Sequence, residues 1–135
     1  MVLADSSVWI RFFMGREPWV SEMRRLLQLG HITGHDFVYG ELLAGDSGGR
    51  RKNLPDYGLM RQAATISHPE VVGLVRAKAC CGRGVGWIDL NLLASALAGH
   101  MQLWTADHAL LALAREAGID YKGPSVSKGL YLLPK

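Results

Sequence analysis

The sequence predicts an α/β domain of three layers with a central, mostly parallel sheet, and three observations predict it. Short apolar runs, Val2-Leu3-Ala4 and Leu103-Trp104 among them, have the length of strands and the unbroken hydrophobicity of strands covered on both faces. Longer stretches of helical pattern separate these runs, the alternation expected of a parallel sheet with crossover helices. Gly30, Gly45, Gly99 and Gly118 each stand where a helix should stop.

In chain order, Val2 to Ala4 is read as a buried strand and Ser7 to Met14 as a helix. A second helix begins near Pro18, an acceptable first-turn residue, and ends at Gly30. His31 to Thr33 offers a short second strand. Asp36 has the chemistry of an N-cap for a helix running to Ala44. Residues 45 to 55 (GDSGGRRKNLP) form a polar loop rich in glycine and basic side chains. Helices are expected from Asp56 to Ser67 and from Pro69 to Cys80. Gly86 to Ile88 leads into a helix from Asp89 to Ala98, followed by a buried strand from Met101 to Thr105 and a helix from Ala106 to Ala117. A final strand near Tyr121, or over Leu130 to Leu133, would complete the sheet.

A chain of 135 residues suits one domain, residues 1–135, able to bury a substantial core. Hydrophobic residues at 49% and charged residues at 20% exclude a disordered chain. The net charge of +3 permits a polyanionic partner without requiring one. Cys80 and Cys81 are adjacent, which disfavours both a disulfide framework and a C-x-x-C metal hook, so a reduced, cytoplasmic setting is expected. No basic region precedes the first apolar residues and Asp5 interrupts them, unlike a secretory signal. Asn91, Gly99 and Gln102 break the apolar stretch from Leu90 to Ala106, so no membrane span is expected there.

Four of the twelve acidic residues stand in apolar surroundings. Asp5 and Asp107 follow apolar strands, at the carboxyl ends where open α/β sheets bind ligands. Each also has the position of a helix cap, although Ser6 or Ser7 could cap the first helix and free Asp5. Glu41 falls on the arc of Phe37, Val38, Leu42 and Ala44, which places a carboxylate on the core side of its helix unless the register shifts it to the rim. Asp89 opens a nearly all-apolar helix, where the amide N–H groups also favour an anion. Converging carboxylates repel, so such a group is costly without a cation. Oxygen donors without cysteine or paired histidine favour Mg²⁺, or Mn²⁺, over zinc.

The segments Asp5-Ser6-Ser7-Val8-Trp9-Ile10, Glu41-Leu42-Leu43-Ala44-Gly45, Asp89-Leu90-Asn91-Leu92-Leu93-Ala94-Ser95-Ala96 and Leu103-Trp104-Thr105-Ala106-Asp107 together resemble the PIN domain, and more narrowly the VapC toxins of bacterial toxin–antitoxin pairs. The resemblance spans nearly the whole chain with the segments in order; Asn91 and Leu93 depart from the usual pattern. It implies a PIN-like fold and an endoribonuclease, with Asp5, Glu41, Asp89 and Asp107 around one or two divalent ions. Asp5 and Asp89 match the most consistent ligands, and Ser6 and Thr105 match supporting hydroxyls. Metal-activated water is then the expected nucleophile. The resemblance also implies an RNA substrate, a VapB-like antitoxin whose C-terminal segment blocks the acidic pocket, and a homodimer or toxin–antitoxin hetero-oligomer.

Other chemistry has less support. The five histidines lack H-x₃-H and H-E-x-x-H spacing, the serines lack a G-x-S-x-G elbow, and Gly82 to Gly86 reads as a turn rather than a phosphate cradle. Arg50-Arg51-Lys52 is either solvated loop or a phosphate contact, and the tryptophans read mainly as core. The helix around Trp19 to Leu29 offers an apolar face to a neighbour. An RNA-processing PIN nuclease without an antitoxin is the nearest alternative. A phospho-acceptor signalling domain would need paired N-terminal acids and a late lysine after a strand, whereas here Ser6 and Ser7 follow Asp5 and Lys122 is poorly placed; a catalytically silent interaction module would not bind metal.

Overall fold

The run Val2–Ala4 (β1) is buried throughout because it is the middle strand of three. The computed structural model describes residues 1–46, 49 and 54–123. Ile32–Thr33 (β2) and Gln102–Trp104 (β3) flank β1 in the order β2-β1-β3, both parallel to it. The register pairs Val2 with Ile32 on one side, and Leu3 with Leu103 and Ala4 with Trp104 on the other. Past β3 the chain returns near Tyr121 as expected: Leu103 N–H donates to Ile119 O at 2.7 Å, and Tyr121 N–H to Leu103 O at 2.9 Å. The alternative at Leu130 to Leu133, like the basic run at 50–52, lies outside the described residues.

The helices are α1 (Ser6–Phe13), α2 (Trp19–Leu29), α3 (Asp36–Ala44), α4 (Leu54–Tyr57), α5 (His68–Ala77), α6 (Trp87–Ala98) and α7 (His108–Glu116). One group has α1 against α2 and α3, the other has α6 against α5 and α7, as a three-layer α/β/α arrangement requires. Gly30 stops α2 by taking a left-handed φ of +68°, which frees its N–H to reach the Leu26 and Leu27 carbonyls. Ser67 and Glu70 form a reciprocal cap at the start of α5. Seven successive residues of α6, Leu90 to Ala96, are buried, and its Asn91 is satisfied by donating to the Trp87 carbonyl at 2.9 Å. Leu3, Val8, Met23, Leu92, Leu103, Trp104 and Leu110 are fully buried around the sheet. Each such side chain contributes roughly 1.5–3 kcal/mol of transfer free energy.

Two expectations need correction. The helix over Asp56 to Ser67 is not formed: α4 stops before Gly58, and residues 61–63 run beside the end of β2. There Gly34 N–H donates to Arg61 O, and Ala63 N–H to Gly34 O, each at 2.8 Å, so pairing along a strand edge overrides local helix propensity. His35, not Asp36, caps α3: extended backbone at His35 lets its side chain accept the Phe37 N–H. Of the apolar residues of α2, Trp19, Val20, Met23 and Leu26 enter this chain's own interior, while Leu27 and Leu29 stay exposed. Among the described residues no helix is long and apolar enough to cross a membrane.

Candidate active site

Asp5 and Thr105 occupy the first positions beyond β1 and β3, directly after the paired residues Ala4 and Trp104. Asp5 N–H continues the ladder to Trp104 O at 3.0 Å, which holds the two strand ends together. The Asp5 side chain is only 2% exposed. One carboxylate oxygen accepts the Val8 N–H at 3.2 Å and the Ser7 hydroxyl at 2.5 Å, and the other accepts the Thr105 hydroxyl. Asp5 is therefore itself the cap of α1, one of the two possibilities its position offered, and neither Ser6 nor Ser7 relieves it. Burial pushes its pKa up to about 6, with a smaller upward contribution from Asp107, while the three donors pull the other way.

The serines divide the work. Ser7 bridges both strand ends, donating to Asp5 and accepting the Ala106 N–H at 2.9 Å. Ser6 points to α3 and donates to Glu41 Oε1 at 2.6 Å. Thr105 accepts the Asp107 N–H at 3.0 Å, and Asp107 caps α7 by accepting the Leu110 N–H at 2.9 Å. Ser7 is the supporting residue that sequence reasoning assigned no role in the site. The signal was its place in Asp5-Ser6-Ser7, where the first turn of α1 carries it back over Asp5.

Glu41 does not lie on the core face of α3. Val38 and Leu42 form that face, while Phe37, Glu41 and Ala44 are exposed. With apolar residues on nearly every side of this helix, sequence periodicity could not locate its inner face. Glu41 nevertheless reaches the site from the rim. Asp89, in the first turn of α6, is pushed up to about 7 by burial and then by the charges of Asp5, Glu41 and Asp107. Among the described residues no hydrogen bond reaches its carboxylate.

The four acids thus share one electrostatic field, and among the described residues none of them forms an ion pair. They do not form a finished cage: among the described residues no three histidine, cysteine or acidic side chains stand ready to hold a metal ion as they lie. Oxygen-only donors with no ion-pair partner among the described residues fit a hard divalent cation in both kind and charge, and binding would require the side chains to draw inward.

A parallel α/β sheet with acids beyond two adjacent strands and on flanking helices defines a PIN-like domain. No family model matches the chain. It is 36% identical over 120 residues to Ribonuclease VapC32 of Mycobacterium tuberculosis, from strains CDC 1551 / Oshkosh and ATCC 25618 / H37Rv. The match covers 88% of this chain and 94% of each relative. The chain belongs to the VapC family of PIN-domain ribonuclease toxins.

Proposed function

We propose that this chain is a Mg²⁺-dependent endoribonuclease, also served by Mn²⁺, and the toxin of a type II toxin–antitoxin pair. The observation that carries the metal requirement is the Asp89 carboxylate, raised to about 7 beside three other acids and given no hydrogen bond by the described residues. Asp5 and Asp89 are assigned as the principal ligands, with Asp107 completing the set and Glu41 orienting water or ligating through it. A divalent cation held there supplies Lewis acidity toward a phosphate oxygen and water. Ser7 and Thr105 fix both oxygens of Asp5, Ser6 fixes Glu41, and no side-chain nucleophile is required. The name Ribonuclease VapC32 supports RNA as substrate. Family membership supports a VapB-like antitoxin as partner, in a homodimer or toxin–antitoxin hetero-oligomer. Cleavage of RNA by the purified protein should require Mg²⁺ or Mn²⁺ and cease in EDTA; undiminished cleavage by chelated protein would refute the metal assignment.

A further inference from the structure

His35 is fully buried, outside the acidic group, and ties together the elements that carry two of its members. Its Nδ1 accepts the Phe37 N–H at 3.0 Å, capping α3, and its Nε2 lies 2.9 Å from Ser95 Oγ on α6. Since Nδ1 accepts, the neutral ring carries its proton on Nε2 and donates it to Ser95. Its own N–H donates to the Tyr57 hydroxyl at 2.9 Å, which anchors the junction to α4.

Glu41 lies six residues beyond His35 and Asp89 six residues before Ser95. At the helical rise of 1.5 Å each interval is about 9 Å. A link between His35 and Ser95 therefore sets how far apart Glu41 and Asp89 stand at the other end. A surface hollow lined by Phe37, Gly40, Glu41, Trp87 and Ile88 separates α3 from the start of α6 there. The Glu41 charge bears on Asp89 unfavourably, so the acids do not themselves draw the two helix ends together.

We propose that His35 is a positioning residue for RNA cleavage, its Nε2–H bond to Ser95 holding Glu41 and Asp89 at working separation across the hollow. This rests on the ribonuclease reading above. Three variants separate the two bonds of the ring. Ser95→Ala removes the link, His35→Asn keeps an acceptor for Phe37 but falls short of Ser95, and His35→Gln reaches Ser95 but weakens the cap. Assayed below every melting transition, Ser95→Ala and His35→Asn should lose roughly tenfold in kcat with little change in the KM for RNA. His35→Gln should recover most of that loss, and Mn²⁺ affinity measured by calorimetry should fall in the first two variants and recover with it. Should His35→Asn fail to fold, Ser95→Ala decides. An active wild type alongside a Ser95→Ala variant with unchanged kcat and Mn²⁺ affinity overturns the positioning role alone. Absence of cleavage by the wild type with either metal counts against the ribonuclease reading itself.

Discussion

Burial favours a protonated Asp5, and three donors, from Ser7, Thr105 and the Val8 amide, hold it back toward ionisation. Asp89 is pushed the same way by burial and three neighbouring charges, with no hydrogen bond in opposition among the described residues. The two acids should therefore answer oppositely to substitution. Asp5→Ala removes a helix cap and leaves two hydroxyls without their acceptor, so the metal-free protein should lose about 2 kcal/mol or more. Asp89→Asn removes repulsion and should stabilise the metal-free protein at pH 8 by about 1–2 kcal/mol, less than the full shift implies because solvent reaches the carboxylate. A carboxylate raised in the folded state binds protons there that the unfolded chain has already released. Its contribution is fully present below the ordinary carboxylate value near 4 and is lost as pH rises through about 7. Subtracting the melting profile of Asp89→Asn from that of the wild type should expose this fall between about pH 4 and 7. A flat difference would mean that neither burial nor the neighbouring charges raise Asp89.

At the scale of the element, α3 shows what periodicity leaves undecided. Val38 and Leu42 face the interior and Glu41 the rim, although all three fall within one apolar arc of the sequence. Leu42→Ala should cost about 2–4 kcal/mol. Glu41→Ala should change stability by under about 0.5 kcal/mol while reducing cleavage. Urea denaturation with parallel RNA assays would distinguish them; comparable destabilisation by both would return Glu41 to the core. The segment after α4 makes the same point, since its helical pattern yields to pairing with Gly34. Strong local signals were read correctly: Gly30 ends α2, and the apolar run of β1 occupies the middle of the sheet.

For the whole molecule, the expected consequence is linkage between the acidic group and folding. Mg²⁺ at a hundred times its dissociation constant should stabilise the wild type by roughly 2.7 kcal/mol if it binds only the folded state. The rise in melting temperature should be much smaller for Asp89→Asn, and equal rises would remove Asp89 from the binding site. Fold class was legible in the sequence, and so was the grouping of the four acids whose charges meet at Asp89. Short apolar runs predict buried parallel strands, and Asp5 and Asp107 follow two of them. Tertiary structure alone decided that Asp5 caps α1 while its charge bears on Asp89, that Glu41 approaches from the rim, that Ser7 spans two strand ends, and that His35 joins α3 to α6. Sequence periodicity records which residues avoid water, a property of each stretch of chain. Hydrogen-bond partnership and charge coupling depend on distances between segments far apart in sequence, and those distances exist only once the layers have packed.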